Sequence, residues 1–200
     1  MNISLTNSKL GDKIPSLNLP PILTCRADAP CKKGCYACHG TWLYSNVKNS
    51  LKNNLDEFMN DPNKFFNDII NALNGDIMYK YFRWMSSGDI VNETFLQGMI
   101  KVANETPQTR FLCFTKKFEI VNKYLDSNEL PKNLKIVFSG WDKNFIVNNP
   151  HNLPMAYVYF KDTTRNADID EYAIPCVGHC SECKGCWSLQ NGQTVYFNQH

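Results

Sequence analysis

The chain has no run of about 18 apolar residues, so nothing in it reads as a membrane span. Its opening, MNISLTNSKLGDK, has neither an apolar h-region nor a cleavage signature, and no secretory leader is expected. An excess of one charge is missing as well. The 21 basic and 19 acidic side chains leave a net charge of +2, with no broad electrostatic footprint for nucleic acid, although a local basic patch is not excluded. Arginine is scarce, 4 against 17 lysines, and 24 asparagines accompany them. That balance looks like AT-rich coding bias and is given no functional weight. No P-loop, nucleophile elbow or dinucleotide fingerprint occurs. Cysteine is nearly absent from the middle, where about 140 residues hold only Cys113. Without a secretory signal, the remaining thiols belong in a reducing, cytoplasmic compartment, kept for metals or catalysis rather than for disulfides.

Those remaining thiols form two tight groups. The first is Cys25, Cys31, Cys35 and Cys38, and the second is Cys176, Cys180, Cys183 and Cys186. A soft metal needs several thiolates converging on one point, and four within 11 to 14 residues supply them. Disulfide scaffolds instead spread their cysteines through short chains. Cys31, Cys35 and Cys38 have the spacing C-x3-C-x2-C. Three thiolates on one loop can hold three irons of a [4Fe–4S] cube and leave the fourth open to a substrate or cofactor; four would close the site. Cys176-x3-Cys180-x2-Cys183-x2-Cys186 contains the ferredoxin-type C-x2-C-x2-C core, with Gly178 and Gly185 available for tight folding. Structural zinc is the rival metal, but zinc sites usually pair two knuckles across a longer spacer. The second group reads either as an auxiliary cluster or as a staple for the C-terminal segment.

Between the groups, strand, loop and helix alternate. An extended arm around Leu17 and Leu19 ends at Pro20-Pro21. Helical spacing runs over Leu43 to Met59, and Asp61-Pro62 opens a second helix bearing Phe65, Phe66, Ile69, Ile70 and Leu73. Strands are expected at Tyr79–Met85, Arg110–Thr115, Leu134–Ser139, Met155–Phe160 and Thr194–Phe197, with helices at Glu93–Asn104 and Phe118–Leu125. Nearly continuous apolar strands are buried on both faces, which implies a parallel sheet covered by helices. The expected architecture is α/β: a (β/α) partial-barrel core over residues 1–160 and a C-terminal Cys-rich extension over 161–200. Chemistry in such folds sits at the C-terminal ends of the strands. There the chain carries Ser87-Gly88-Asp89, Thr115-Lys116-Lys117 and Ser139-Gly140-Trp141, which ordinary βα turns would also explain.

The first cysteine spacing, after a strand and before a helix, resembles the radical S-adenosylmethionine (SAM) superfamily. That resemblance implies a partial barrel, an open iron that chelates SAM, and reductive cleavage of SAM to a radical that abstracts hydrogen from substrate. Ser86-Ser87-Gly88-Asp89 then stands where that superfamily often has a turn contacting the SAM amino group, so Ser87, Gly88 and Asp89 are the implied cofactor-binding residues. The chain departs from the pattern in Ala37, where an aromatic is usual. A closer resemblance is to the phage "gene product 88" domain family. It rests on Asn7-Ser8-Lys9, Thr24-Cys25, Cys31, Cys35-Tyr36-Ala37, Ser87-Gly88-Asp89, Phe111 with Thr115-Lys116, and Cys180 through Cys186-Trp187. This resemblance spans nearly the whole chain and implies an iron–sulfur, radical-SAM-like phage or mobile-element protein in a bacterial host, without a particular reaction. By this pattern Cys25, Cys31 and Cys35 are the ligands; by the radical SAM spacing they are Cys31, Cys35 and Cys38.

The expected cofactors are one or two [4Fe–4S] clusters with SAM, and zinc is the alternative metal. The expected partners are an unidentified substrate and a reductant such as ferredoxin or flavodoxin. The rival from another class is a non-catalytic, metal-stapled binding module acting on nucleic acid or a host protein. His39 and His179 abut the two groups as alternative ligands or as hydrogen-bonding neighbours. Cys113, Trp42, Trp84 and Trp141 read as core, and Trp187 as a shield over the second group. Lys32-Lys33 and Lys116-Lys117 read as solvated faces.

Overall fold

A computed structural model describes residues 1–7, 9–168 and 171–199. Ser8 of the Asn7-Ser8-Lys9 motif, and Ile169 and Asp170 of the polar loop ahead of the second cysteine group, lie outside the described residues. Eight strands form one sheet in the order β1-β2-β3-β4-β5-β6-β8-β7. They are β1 (Ile3–Ser4), β2 (Ser16–Leu17), β3 (Tyr81–Trp84), β4 (Arg110–Thr115), β5 (Leu134–Ser139), β6 (Met155–Tyr159), β7 (Ile174–Pro175) and β8 (Thr194–Asn198). Only the β1–β2 pair is antiparallel. All other neighbours run parallel. The helices are α1 (Ser45–Asn60), α2 (Pro62–Leu73), α3 (Glu93–Glu105), α4 (Phe118–Leu125) and the single turn α5 (Cys180–Cys183).

Local sequence explains the main elements. Asp61 caps α2 by accepting from the Lys64 backbone N–H at 2.9 Å, and Pro62 fills the first turn. Asn92 caps α3 in the same way through the Phe95 N–H at 3.0 Å. Gly98 lets α3 approach α2: a Cβ there would lie 2.0 Å from the Phe66 ring.

The strands alternate strictly between two faces. One face carries Leu17, Phe82, Trp84, Phe111, Cys113, Ile136 and Phe138, and packs on Phe58, Phe65, Phe66, Phe95 and Phe118 of α1 to α4. Cys113 and Trp84 are fully buried there, as the sequence suggests, whereas Trp42 and Trp141 are only half-buried. The other face carries Leu112, Val137, Ala156 and Val195, with Tyr81, Phe114 and Phe197. The long helices cover only the first of these faces. The second face is covered not by long helices but by Trp187, Leu189 and the cysteines of the second group. Continuous apolar strands register burial on both sides, but not what does the burying.

Candidate metal centres

The first cysteine loop leaves β2 at the C-terminal edge of the sheet. It winds through short 3-10 turns at Pro30–Gly34, Tyr36–Cys38 and Gly40–Leu43 before α1. All four of its thiols are free and half-buried. Cys35 and Cys38 are in direct contact, and Cys31 lies close enough to both Cys35 and Cys25 for their charges to interact. Burial pushes the Cys35 thiol up to about 11, against a backbone N–H bond at Ala37 that favours its thiolate. Burial likewise raises Cys25.

The loop is anchored to the Ser86–Asp89 turn after β3. Thr24 accepts the Asp89 N–H at 3.0 Å and donates to the Pro20 carbonyl at 2.8 Å. The Tyr36 hydroxyl donates to the Ser86 carbonyl. The Asn18 side chain accepts from the N–H groups of Ser86 and Ser87 at 2.8 and 3.3 Å. Gly88, at φ +81°, is pressed against this segment, where a Cβ would fall 2.7 Å from Thr24 Oγ1 and 2.8 Å from the Leu19 carbonyl. Thus Ser87, Gly88 and Asp89 stand directly behind Thr24-Cys25.

Their polar groups are committed to the scaffold. Ser87 Oγ donates to the Leu19 carbonyl at 3.0 Å. The Asp89 carboxylate is buried and accepts from Thr115 Oγ1 at 2.5 Å, Ile90 N at 2.7 Å and Lys116 N at 2.9 Å. Burial raises its pKa above the ordinary carboxylate range, while these three donors pull it back. Lys117 N donates to Thr115 Oγ1 at 2.9 Å, so one chain of bonds joins the ends of β3 and β4.

Lys116 corrects another expectation. The Lys116-Lys117 pair reads as a solvated face, yet Lys116 is only 9 % exposed, and its ammonium donates to Ser139 Oγ at 2.6 Å. The missed signal is strand alternation: Lys116 continues the row Leu112, Phe114, Lys116 on the face opposite the helices. Thr24, Thr115 and Ser139 stood in motifs or strand ends that the sequence marks, but Asn18 was silent, because its bonds to Ser86 and Ser87 span 68 and 69 residues.

The second group lies in the crossover from β7 to β8. Cys176, Cys180, Cys183 and Cys186 border one cavity of about 30 Å³, closed by Trp187 and Leu189. Trp187 is 3 % exposed and donates its indole N–H to the Phe82 carbonyl at 3.2 Å. Tyr81 packs edge-on against its ring. Cys180 N donates to the Lys9 carbonyl at 3.0 Å, so the Asn7–Lys9 motif is part of this site. Lys184 sits in the left-handed region at φ +53°, and the Gly185 N–H donates to Cys183 Sγ at 3.4 Å. Burial pushes Cys186 up to about 12 and also raises Cys180; the Arg83 charge opposes both. His39 and His179 are exposed, His179 at the rim of the cavity.

Among the described residues, no three His, Cys, Asp or Glu side chains form a group ready to hold a single metal ion. A tetrahedral zinc site would draw every sulfur to about 2.3 Å from one point. A polynuclear cluster gives each thiolate its own iron and spaces the sulfurs more widely. In the second group four thiols border one cavity, a donor set that either kind of metal site uses. The N–H···S bond at Cys183 is of the sort that tunes such clusters.

No helix among the described residues is long and apolar enough to cross a membrane. No curated protein and no solved structure matches the sequence. A family description does match, "Gene product 88", over residues 1–193, and the chain belongs to that phage gene product family.

Proposed function

We propose that this chain is an iron–sulfur protein of the radical-SAM-like type, built on a partial (β/α) barrel with a cluster-binding C-terminal extension. The observation that carries this reading is the placement of the first cysteine loop. It sits at the C-terminal edge of a parallel sheet, where ligands bind in α/β folds, and it is fastened there by Thr24, Tyr36 and the Ser86–Asp89 turn. Three of the thiols Cys25, Cys31, Cys35 and Cys38 hold one [4Fe–4S] cluster and leave its fourth iron open, and Cys176, Cys180, Cys183 and Cys186 supply the thiolates for a second, auxiliary or structural one. When bound with one open iron, the first cluster would supply the electron for reductive chemistry on SAM, drawn from a ferredoxin or flavodoxin. The chain's own part is positional. Asp89 and Gly88 hold Thr24-Cys25 in register with the sheet edge. Ser139 and Lys116 present polar groups beside it, and Trp187 keeps water from the second set.

One specific observation supports the non-catalytic reading for the second group alone: its cysteines pack directly into the core of the second face. Anaerobic purification with iron, sulfide and zinc analysis separates the readings. The expected protein is brown, carries iron at both groups, and changes its electron paramagnetic resonance spectrum when SAM is added to the reduced form. A colourless zinc protein, or a cluster signal indifferent to SAM, overturns the enzymatic reading. Cys31→Ser and Cys35→Ser should each lose iron from the first group; full iron in both would mean that this group is misread.

A further inference from the structure

The face of the sheet opposite α1 to α4 carries Arg110 and Lys135 at the N-terminal end of its strands and two further cations, Arg83 and Lys116, toward the C-terminal end. Arg83 of β3 pairs in register with Leu112, and Phe114 and Lys116 follow Leu112 on the same face. The Arg83 guanidinium lies over the Phe114 ring at 4.3 Å, and its Nε donates to the Trp84 carbonyl at 3.0 Å. Lys116 reaches Ser139 on the next strand. Neither cation forms an ion pair with a carboxylate among the described residues. Asp89, the acid beside Lys116, has both oxygens engaged by Thr115, Ile90 and the Lys116 backbone.

Burying an ammonium is costly unless it is paired. Lys116 has three donors and spends one on Ser139. Its position is also central. The Lys116 charge reaches Cys25 of the first group, and the Arg83 charge reaches Tyr36 in the first loop as well as Cys180 and Cys186 of the second group. Two cations, a hydroxyl and an aromatic ring therefore lie on one face of the sheet toward the C-terminal ends of its strands, where ligands bind in α/β folds.

We propose that Arg83, Lys116 and Ser139 form a receptor for an oxyanion, the carboxylate or phosphate group of a small-molecule substrate. Arg83 provides a planar fork suited to two oxygens, Lys116 a compact charge, and Ser139 orients the Lys116 ammonium. Two recessed cations suit one anionic group better than a nucleic-acid backbone, whose binding draws on many phosphate contacts. The receptor itself stands on these residues alone; calling its ligand the substrate rests on the function proposed above.

The test is calorimetric titration of the full chain, purified anaerobically with whatever metal it carries, using inorganic phosphate and separately malonate at ionic strength fixed with chloride. Saturable binding of one anion per chain is expected from at least one titrant, and the preferred titrant tells phosphate from carboxylate. Arg83→Met and Lys116→Met should each weaken binding by tenfold or more, while Lys117→Met leaves it unchanged. Lys116→Arg keeps the charge and serves if Lys116→Met fails to fold by circular dichroism; it should retain binding that Ser139→Ala reduces. No saturation above chloride, or methionine variants that bind like the wild type, overturns the receptor. So does tight binding of a single-stranded oligonucleotide in the absence of phosphate and malonate binding. Failure of the iron–sulfur reading shows separately, in colour and metal content.

Discussion

The two cysteine groups hold the same number of thiols but occupy opposite situations. The second group is set into the core: Cys176, Cys180 and Cys186 touch the same apolar cluster as Leu112, Val137 and Val195, and Trp187 beside them is buried. The first group lies on an edge loop of 3-10 turns, tied to the sheet by hydrogen bonds, with only the small side chains of Ala29 and Ala37 buried among its apolar residues. Removing ligands from the one should damage the fold, and removing them from the other should damage a site on an intact fold. The same element of sequence, a cluster of thiols, thus means different things depending on what its loop covers.

The sharpest way to break this contrast is to compare Cys186→Ala with Cys35→Ala. Cys186→Ala should abolish cooperative thermal unfolding or lower the midpoint by about 10 °C or more, because under the proposed function metal ligation there would be folding energy. Cys35→Ala should shift the midpoint by only a few degrees while stripping iron from the first group. Equal losses in both would erase the distinction. Trp187→Ala, which opens a cavity beside the second group without touching a thiol, should cost about 3–5 kcal/mol in denaturant unfolding.

Next in size is Gly88→Ala. A side chain at φ +81° costs roughly 1–2 kcal/mol, and the contacts with Thr24 and Leu19 add to it. The loss should appear both in stability and as weaker iron retention in the first group, with the second group unaffected. Asp89→Asn leaves a donor facing the Lys116 N–H and should cost about 1–3 kcal/mol. Its pH dependence has a definite sign. The folded-state pKa of Asp89 is raised, so its contribution is full below the unfolded value of about 3.9 and is lost as pH rises through the folded value. The gap between wild type and Asp89→Asn should therefore be widest near pH 4 and narrower at pH 7.

The smallest effect is kinetic. In protein freed of metal but still folded, the thiols of Cys35 and Cys186 are raised to about 11 and about 12. Less thiolate, partly offset by greater nucleophilicity, should slow alkylation at pH 8 by about tenfold at Cys35 and more at Cys186 relative to exposed Cys183. Peptide mass spectrometry after timed iodoacetamide labelling reads this order directly.

How much of this was legible in sequence depends on the range of the interaction that makes each feature. The α2 helix announced itself through Asp61, Pro62 and the spacing of Phe65, Phe66, Ile69 and Ile70, all local. The strands at Arg110–Thr115 and Leu134–Ser139 were equally plain from their apolar runs. β1 and β7, with two residues each, are too short to leave a periodic trace and exist only because of their neighbours. The candidate site divides in the same way. The cysteine spacings and the Ser87-Gly88-Asp89 turn stood out as motifs. Lys116 stood in such a motif too, but its burial did not show, because that is decided by Ser139, Phe114 and the sheet between them rather than by Lys117 beside it.

The position of β8 between β6 and β7 has a consequence for biosynthesis. As the chain leaves the ribosome, β7 emerges with no strand to pair with, and the thiols of the second group follow before its partner does. Only when Thr194–Asn198 has been made can β8 slot in, joining β6 on one side and capturing β7 on the other. During that interval the apolar side of β3, β4 and β5 is uncovered, and the nascent chain is at its most sticky. Early closure of the crossover, with Trp187 and Leu189 on that surface, would shorten the interval.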